Sequence, residues 1–362
     1  MCLNDKRFLK NTGRARINEL EQRRKCMTVR VAINGFGRIG RLVYRAFLES
    51  GRKDIDIVAI NDLGDAKANA YLLKYDSVHR ATSFDVRAEG DYIIAGDYKT
   101  KVIAQRDPTQ LPWKEMDIDI VMECTGIFTA KEKAMVHIEA GAKRVLVSAP
   151  SQGADKTIVY GVNQDTLTTE DLVVSNASCT TNCLAPVAYV LDKEFGIEQG
   201  FMTTIHSYTN DQKILDQVHK DLYRSRAAAM SMIPTSTGAA KAVGLVLPQL
   251  AGKLDGVSIR VPTPDVSIVD ANLIMKRTVT KEEVNAVVKK YAEGELKGIL
   301  GYNEDPLVSI DFTHNPHSST FDGNGTKVMG GTQLRVMSWY DNEWGFSNRM
   351  LDTAAYMGSL IK

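Results

Sequence analysis

No apolar run in this 362-residue chain approaches the ~20 residues needed to cross a bilayer, so a protein held by membrane-spanning helices is not expected. Cysteine is scarce: five residues, an odd number without framework spacing, argue against a secreted disulfide scaffold and for a reducing compartment. Internal repeats and low-complexity segments are lacking too, and neither sign of charge is in excess, the net being +1. That balance hides an asymmetry. Residues 1–26 carry eight Lys and Arg against three Asp and Glu, which leaves the remainder at −4, mildly acidic and without a nucleic-acid footprint. The basic segment has no apolar core, so it is not a secretory signal, and it has too few serines and too many acids for a transit peptide. We read 1–26 as a basic tail, disordered or an extension of the gene start, with Met27 as an alternative start. The rest has an ordinary soluble composition and enough length for two domains, with the cytoplasm as its expected place.

What is present begins with residues 29–34, a buried β-type run followed at once by Gly35-Phe36-Gly37-Arg38-Ile39-Gly40. The pattern predicts a helix over 41–50, stopped by Gly51, and a strand over 55–61 closed by Asp62. Glycine-rich turns are common. Between a strand and a helix, with an acid at the end of the next strand, this one reads as a dinucleotide fingerprint. Gly35, Gly37 and Gly40 let the backbone approach a pyrophosphate, to which the helix N-terminus offers amides. Asp62 is placed to bond both hydroxyls of the adenosine ribose, and its charge repels a 2′-phosphate, which favours NAD over NADP.

The alternation continues with a helix over 65–74, a hairpin of 92–95 with 101–104, a strand over 118–123 leading into Thr125, a helix over 131–140 and a strand over 144–147 ending at Ser148. Strand ends near Thr125 and Ser148 are where an open parallel sheet would hold the second half of the cofactor. Residues 27–177 therefore read as a doubly wound, Rossmann-type α/β domain. Further on, strands lengthen and helices no longer separate each pair: 201–208, 257–261, 266–276, 307–312 and 334–340. This predicts an α+β catalytic domain, 178–343, on a mostly antiparallel sheet with helices over 238–250 and 282–292. A final segment, 344–362, carries an amphipathic helix over 346–361 that returns to pack on the first domain. The connection over 209–234 is too long for a simple link and is expected to serve function or assembly.

The nine residues Ser175-Asn176-Ala177-Ser178-Cys179-Thr180-Thr181-Asn182-Cys183 join a strand-like run to an apolar helical one. Ser178 is a good N-cap, and a thiol at a helix N-terminus has its thiolate favoured by the dipole. Pro186 lies too far in for a first-turn proline and predicts a kink or a later start. A free cysteine is ordinarily a small buried hydrophobe, and we read Cys183 that way. Four residues from its neighbour on one helix, it is badly placed for a disulfide, and no second pair completes a zinc site. Cys179 is read as chemistry. Of six histidines, His206 ends a strand at the mouth of the long loop, where catalytic groups tend to sit. His137, inside a helix, reads as structural. His314 and His317 lie in a proline-containing loop without further metal ligands, while His79 and His219 carry no distinguishing context.

Four motifs occur in order: Asn34-Gly35-Phe36-Gly37-Arg38-Ile39-Gly40-Arg41, Ser178-Cys179-Thr180-Thr181-Asn182-Cys183, His206-Ser207-Tyr208-Thr209 and Trp339-Tyr340-Asp341-Asn342-Glu343-Trp344. From Met27 to the C-terminus the chain closely resembles the phosphorylating glyceraldehyde-3-phosphate dehydrogenases. The resemblance implies NAD-dependent oxidation of an aldehyde through a hemithioacetal and a thioester on Cys179, with His206 as base and inorganic phosphate as acyl acceptor. It implies Thr209 and Arg260 around the substrate phosphate, and Arg224, Thr237, Gly238, Ser178 and Thr180 around the attacking phosphate. Asn342 would hold the nicotinamide carboxamide, and Arg38, Ile39, Asp62, Arg106, Thr125 and Ser148 the rest of the cofactor. A homotetramer of dihedral symmetry is implied as well, with glyceraldehyde 3-phosphate and phosphate as small-molecule partners and no metal.

Three positions depart from the common pattern. Val218 stands where many NAD-specific members have proline, Arg80 where glycine is frequent, and Phe346 in place of a common tyrosine. Two other functions compete. Erythrose-4-phosphate dehydrogenase shares the cysteine and histidine, but Ser207-Tyr208-Thr209 and Thr235-Ser236-Thr237-Gly238 keep the phosphate pattern of the glyceraldehyde enzyme. A non-catalytic binding module would use the basic tail, against which the intact Cys179, His206 and Arg260 speak.

Overall fold

The computed structural model describes residues 28–361, and the reading of 1–26 as a tail lies outside them. Val29–Asn34, rich in β-branched residues and buried along its length, pairs in parallel with Ile55–Asn61 on one side and Ile120–Glu123 on the other. Beyond Ile120–Glu123 come Arg144–Val147, Val173–Ser175 and Lys156–Thr157; beyond Ile55–Asn61 come Tyr98–Ile103, Tyr92–Ala95 and Val86–Glu89. The last three form an antiparallel edge on a parallel sheet of nine strands. Register sets Asn61, Asn34 and Glu123 in one row at the carboxyl ends, where the strand order reverses and an open sheet binds its ligand.

The second sheet runs Ile233–Ser236, Leu254–Val261, Ile197–Ser207, Ser267–Met275, Gln333–Tyr340, Ser319–Met329, Leu300–Asn303. Four of its neighbouring pairs are antiparallel and two parallel, so it is mixed but mostly antiparallel. Each sheet has its own apolar core. The C-terminal helix, Trp344–Ser359, lies against the helix Arg38–Ser50 and the strand Val29–Asn34. Its Gly358 comes so close that a Cβ would sit 2.1 Å from Val29.

Local expectations and the structure part in several places. Residues 307–312 are not a strand: Ser309–Phe312 is a 3₁₀ turn closed by the Asp311 carboxylate on the Val308 amide, with Ile310 exposed. The strand Ser319–Met329 was hidden by its glycines, which are there for space, since a Cβ on Gly323 would meet the Tyr302 hydroxyl at 2.6 Å and one on Gly325 would meet Met337 at 2.6 Å. The helix expected over 131–140 breaks at Met135 into Lys131–Ala134 and Val136–Glu139. The helix Cys179–Phe195 starts where Ser178 caps it and continues through Pro186. Burial of Leu184, Val187, Val190 and Leu191 outweighs the one backbone bond that the proline removes. Arg80 adopts φ +66°, a left-handed conformation that explains why glycine suits that position. Among the described residues no helix is long and apolar enough to cross a membrane.

Candidate active site

Cys179 packs against both apolar cores, so it stands where the two sheets' territories meet. The chain reaches it through a sharp reversal. Ala177 leaves the strand Val173–Ser175 at φ +56°, and the Ser178 hydroxyl then accepts the Thr181 amide at 3.1 Å to open the helix. A buried non-glycine residue held left-handed is a strained element of the sort that collects at reactive centres. His206 arrives from the strand Ile197–Ser207, its Nε2 3.5 Å from the Cys179 sulfur.

The hydrogen bonds assign the histidine's tautomer. Nδ1 lies 2.7 Å from the Ser207 carbonyl, which can only accept, so Nδ1 carries the proton and the Nε2 lone pair faces the thiol. Arg260, paired across the strands with His206, donates from Nη1 to the same carbonyl at 3.1 Å. Its 3.0 Å approach to Nδ1 is therefore a contact of two donors. Burial, and then Arg260, push the His206 imidazole down to about 3. Burial also raises the Cys179 thiol, against the pull of Arg260, the Thr180 hydroxyl and the first-turn amides. Taken singly, each group is thus neutral at pH 7. Only as a pair, with the proton passed from sulfur to Nε2, do the two charges compensate.

A cavity of about 340 Å³ opens over this pair, with Arg38, Ile39, Ser148, Ser178, Thr209, Arg260 and Asn342 in its wall. Asn342 is held by its Oδ1, which accepts the Ser207 hydroxyl at 2.9 Å and the Ser267 hydroxyl at 2.8 Å, so its amide donors are left for the cavity. Arg260 has a buried Nε without a partner, a donor with nothing to satisfy it inside the chain. Arg38 is engaged instead with the carboxylates of Asp76 and Glu343.

Gly35, Gly37, Asp62, Arg106 and Thr125 line a second cavity of about 510 Å³ at the strand ends. The Asp62 carboxylate accepts the Phe36 amide of the glycine turn at 2.9 Å and the Gly64 amide at 2.9 Å. These residues fit a dinucleotide: a Cβ on Gly37 would project into open space at the cavity, and one on Gly40 would lie 2.1 Å from the Gly35 carbonyl.

Five predicted residues lie outside both cavity walls: Gly40, packed against the Gly35 carbonyl inside the turn, and four others. Thr180 is buried, its hydroxyl 2.9 Å from that of Tyr340. Arg224 pairs with Asp211 and donates to the Thr235 hydroxyl at 3.0 Å, yet its charge bears on His206 and Arg260. Thr237 and Gly238 form the start of the helix Ala239–Val246. Of the three departures, Phe346 lines the first cavity, while Val218 is 93% exposed on the long connection.

Sequence reasoning passed over His79 and the acids around it. His79 is buried, its Nε2 3.3 Å from Glu343 and its Nδ1 3.1 Å from His314. With Asp265 and Asp341 it offers ligand atoms all within 4.8 Å of one another. His314 and His79 thus do stand in a cluster, made by side chains from distant parts of the chain. Burial and the neighbouring acid raise Asp265 above the usual carboxylate range, and burial raises Asp341. The signal available in the sequence was Glu343, inside the quoted Trp339–Trp344 motif.

The profile of the glyceraldehyde 3-phosphate dehydrogenase C-terminal domain matches residues 178–342, and that of the family's NAD binding domain matches 29–131. The chain belongs to the glyceraldehyde-3-phosphate dehydrogenase family. It is similar to the glyceraldehyde-3-phosphate dehydrogenase of Xanthobacter flavus, 66% identical over 334 residues that make up 92% of this chain and all of the relative. It is also similar to those of Cereibacter sphaeroides, 65% identical over 335 residues, 92% of this chain and all of the relative, and Geobacillus stearothermophilus, 57% identical over 334 residues, 92% of this chain and 99% of the relative. As a member of this family the chain is an oxidoreductase with NAD as its cofactor.

Proposed function

We propose that the chain oxidises and phosphorylates D-glyceraldehyde 3-phosphate to 1,3-bisphosphoglycerate, reversibly, in glycolysis or gluconeogenesis. The observation that carries this is the Cys179 sulfur 3.5 Å from the bare Nε2 of His206, beside an arginine with an unsatisfied buried donor. His206 takes the thiol proton as the sulfur–carbon bond forms and the Cys179 amide donates to the developing oxyanion; His206 then hands the proton to that oxygen, which becomes the hemithioacetal hydroxyl. Bound NAD supplies the acceptor for the hydride that leaves carbon. His206 removes the hydroxyl proton in that step, and the thioester that remains keeps its acyl-transfer potential for inorganic phosphate. Attack by a phosphate oxygen breaks the carbon–sulfur bond and frees the thiolate.

Arg260 and Thr209 serve the substrate phosphate, and Arg224, Ser178, Thr180, Thr237 and Gly238 the attacking one. Asn342 presents its amide to the nicotinamide, while Asp62 and Arg106 face the adenosine end. We read 27–177 and 178–343 as the two domains, 344–362 as the returning segment, and the cytoplasm as the place of action. The connection 209–234 supports a homotetramer, because Ile214, Leu215, Val218, Leu222 and Tyr223 are all exposed on the single chain.

Cys179→Ser tests the reading. It is expected to abolish turnover and leave NAD binding and the fold intact, since hydroxyl is a far poorer nucleophile at neutral pH. Retention of more than a few per cent of activity in a preparation free of wild-type enzyme would remove the assignment.

A further inference from the structure

Beneath the strand-end cavity lies a set of buried polar groups that the chemistry at Cys179 does not use. Glu123 ends the strand Ile120–Glu123, and its carboxylate is 1% exposed. A carboxylate at such depth is costly unless its lone pairs are filled. Four donors fill them. Oε1 accepts the Thr125 amide at 2.7 Å and the Thr125 hydroxyl, while Oε2 accepts Asn34 Nδ2 at 2.6 Å and His137 Nε2 at 3.0 Å. Thr125 and Asn34 are walls of the cavity. Asn34 in turn accepts Asn61 Nδ2 at 2.7 Å, which steadies the wall next to Asp62.

His137 lines neither of the two cavities described above and is fully buried. Its Nδ1 receives the Trp113 indole N–H at 3.2 Å. An indole nitrogen can only donate, so Nδ1 accepts and the imidazole proton sits on Nε2, aimed at Glu123. Trp113, also fully buried, thereby fixes the tautomer that Glu123 requires.

We propose that His137, oriented by Trp113, is a positioning residue for the cofactor: it holds the Glu123 carboxylate in the one setting that lets Thr125 and Asn34 shape the strand-end cavity. The proposal rests on NAD lying in that cavity. A residue that merely filled space at 137 would be replaced by leucine without consequence for NAD.

The test is NAD titration and steady-state kinetics on the full chain. His137→Leu is expected to raise the Kd and KM for NAD about tenfold, with KM for the aldehyde and kcat at saturating NAD within about twofold of wild type. His137→Gln, whose amide donates from the place of Nε2, should restore most of the affinity. Trp113→Phe keeps the bulk of the ring and removes the indole N–H, and should raise the Kd for NAD about threefold. Wild-type NAD affinity in a folded His137→Leu, or no recovery in His137→Gln, overturns the proposal. If His137→Leu does not fold, Trp113→Phe decides: a selective rise in the Kd for NAD supports the relay, and an unchanged Kd overturns it. Asp62→Ala separates this from the cavity assignment, since undiminished NAD binding there would mean that the cavity itself was misassigned.

Discussion

Replacing His206 by asparagine isolates what the histidine does for the thiol. Burial holds the Cys179 thiol above its ordinary value of 9.0, and the 3.5 Å contact with Nε2 is the way its proton leaves. Without that base, no more than about one thiol in a hundred is ionised at pH 7. The acylation step should then fall at least about 100-fold at pH 7, within the usual range for losing a general base. The loss should shrink as pH rises. Each pH unit below the thiol's pKa brings about tenfold more thiolate, so the variant's rate should climb with a slope near one. The wild type behaves otherwise. Its His206 is pushed down to about 3, so the base is already free throughout the neutral range and the rate should be flat there. Single-turnover formation of NADH, followed from about pH 6 to 8.5, reads both profiles. Equal profiles for the two proteins would refute the base assignment, as would a variant loss that no increase in pH repairs.

Two further outcomes follow from the cavities and the long connection. NAD should be preferred over NADP by kcat/KM, and Asp62→Ala should narrow that gap by about tenfold or more, because the carboxylate that accepts the Phe36 amide repels a 2′-phosphate. Equal efficiency with both nucleotides in the wild type would mean that Val218 and its neighbours outweigh the acid. Leu222→Asp should leave the fold of a single chain almost unaffected, the side chain being 80% exposed, yet weaken assembly and lower activity together by burying a charge without a partner. Light scattering on dilute wild-type protein checks the premise, and a fully active monomer would contradict it.

The sequence by itself determined the elements whose signal is local. The turn Gly35 to Gly40 between two apolar strands, with Asp62 closing the second, needs only neighbours in the chain to be legible, and so does Ser178 capping the helix that carries Cys179. Where the local signal misled, tertiary contacts had the last word. Glycines in Ser319–Met329 look like turn formers until Tyr302 and Met337 occupy the space that they leave. The apolar stretch 307–312 looks like a strand, but no neighbouring strand takes it up, and Asp311 closes it as a turn. The site divided the same way. Residue types and motifs named Cys179 and His206, and the family resemblance named Arg260, but which nitrogen of His206 is bare was decided by the Ser207 carbonyl, and which donor of Arg260 is unsatisfied by its packing. The clusters around His79 and around Glu123 gather side chains from far apart in the chain. Their hydrogen bonds exist only once strand ends, helices and loops have been folded together, and no spacing along the chain encodes that proximity.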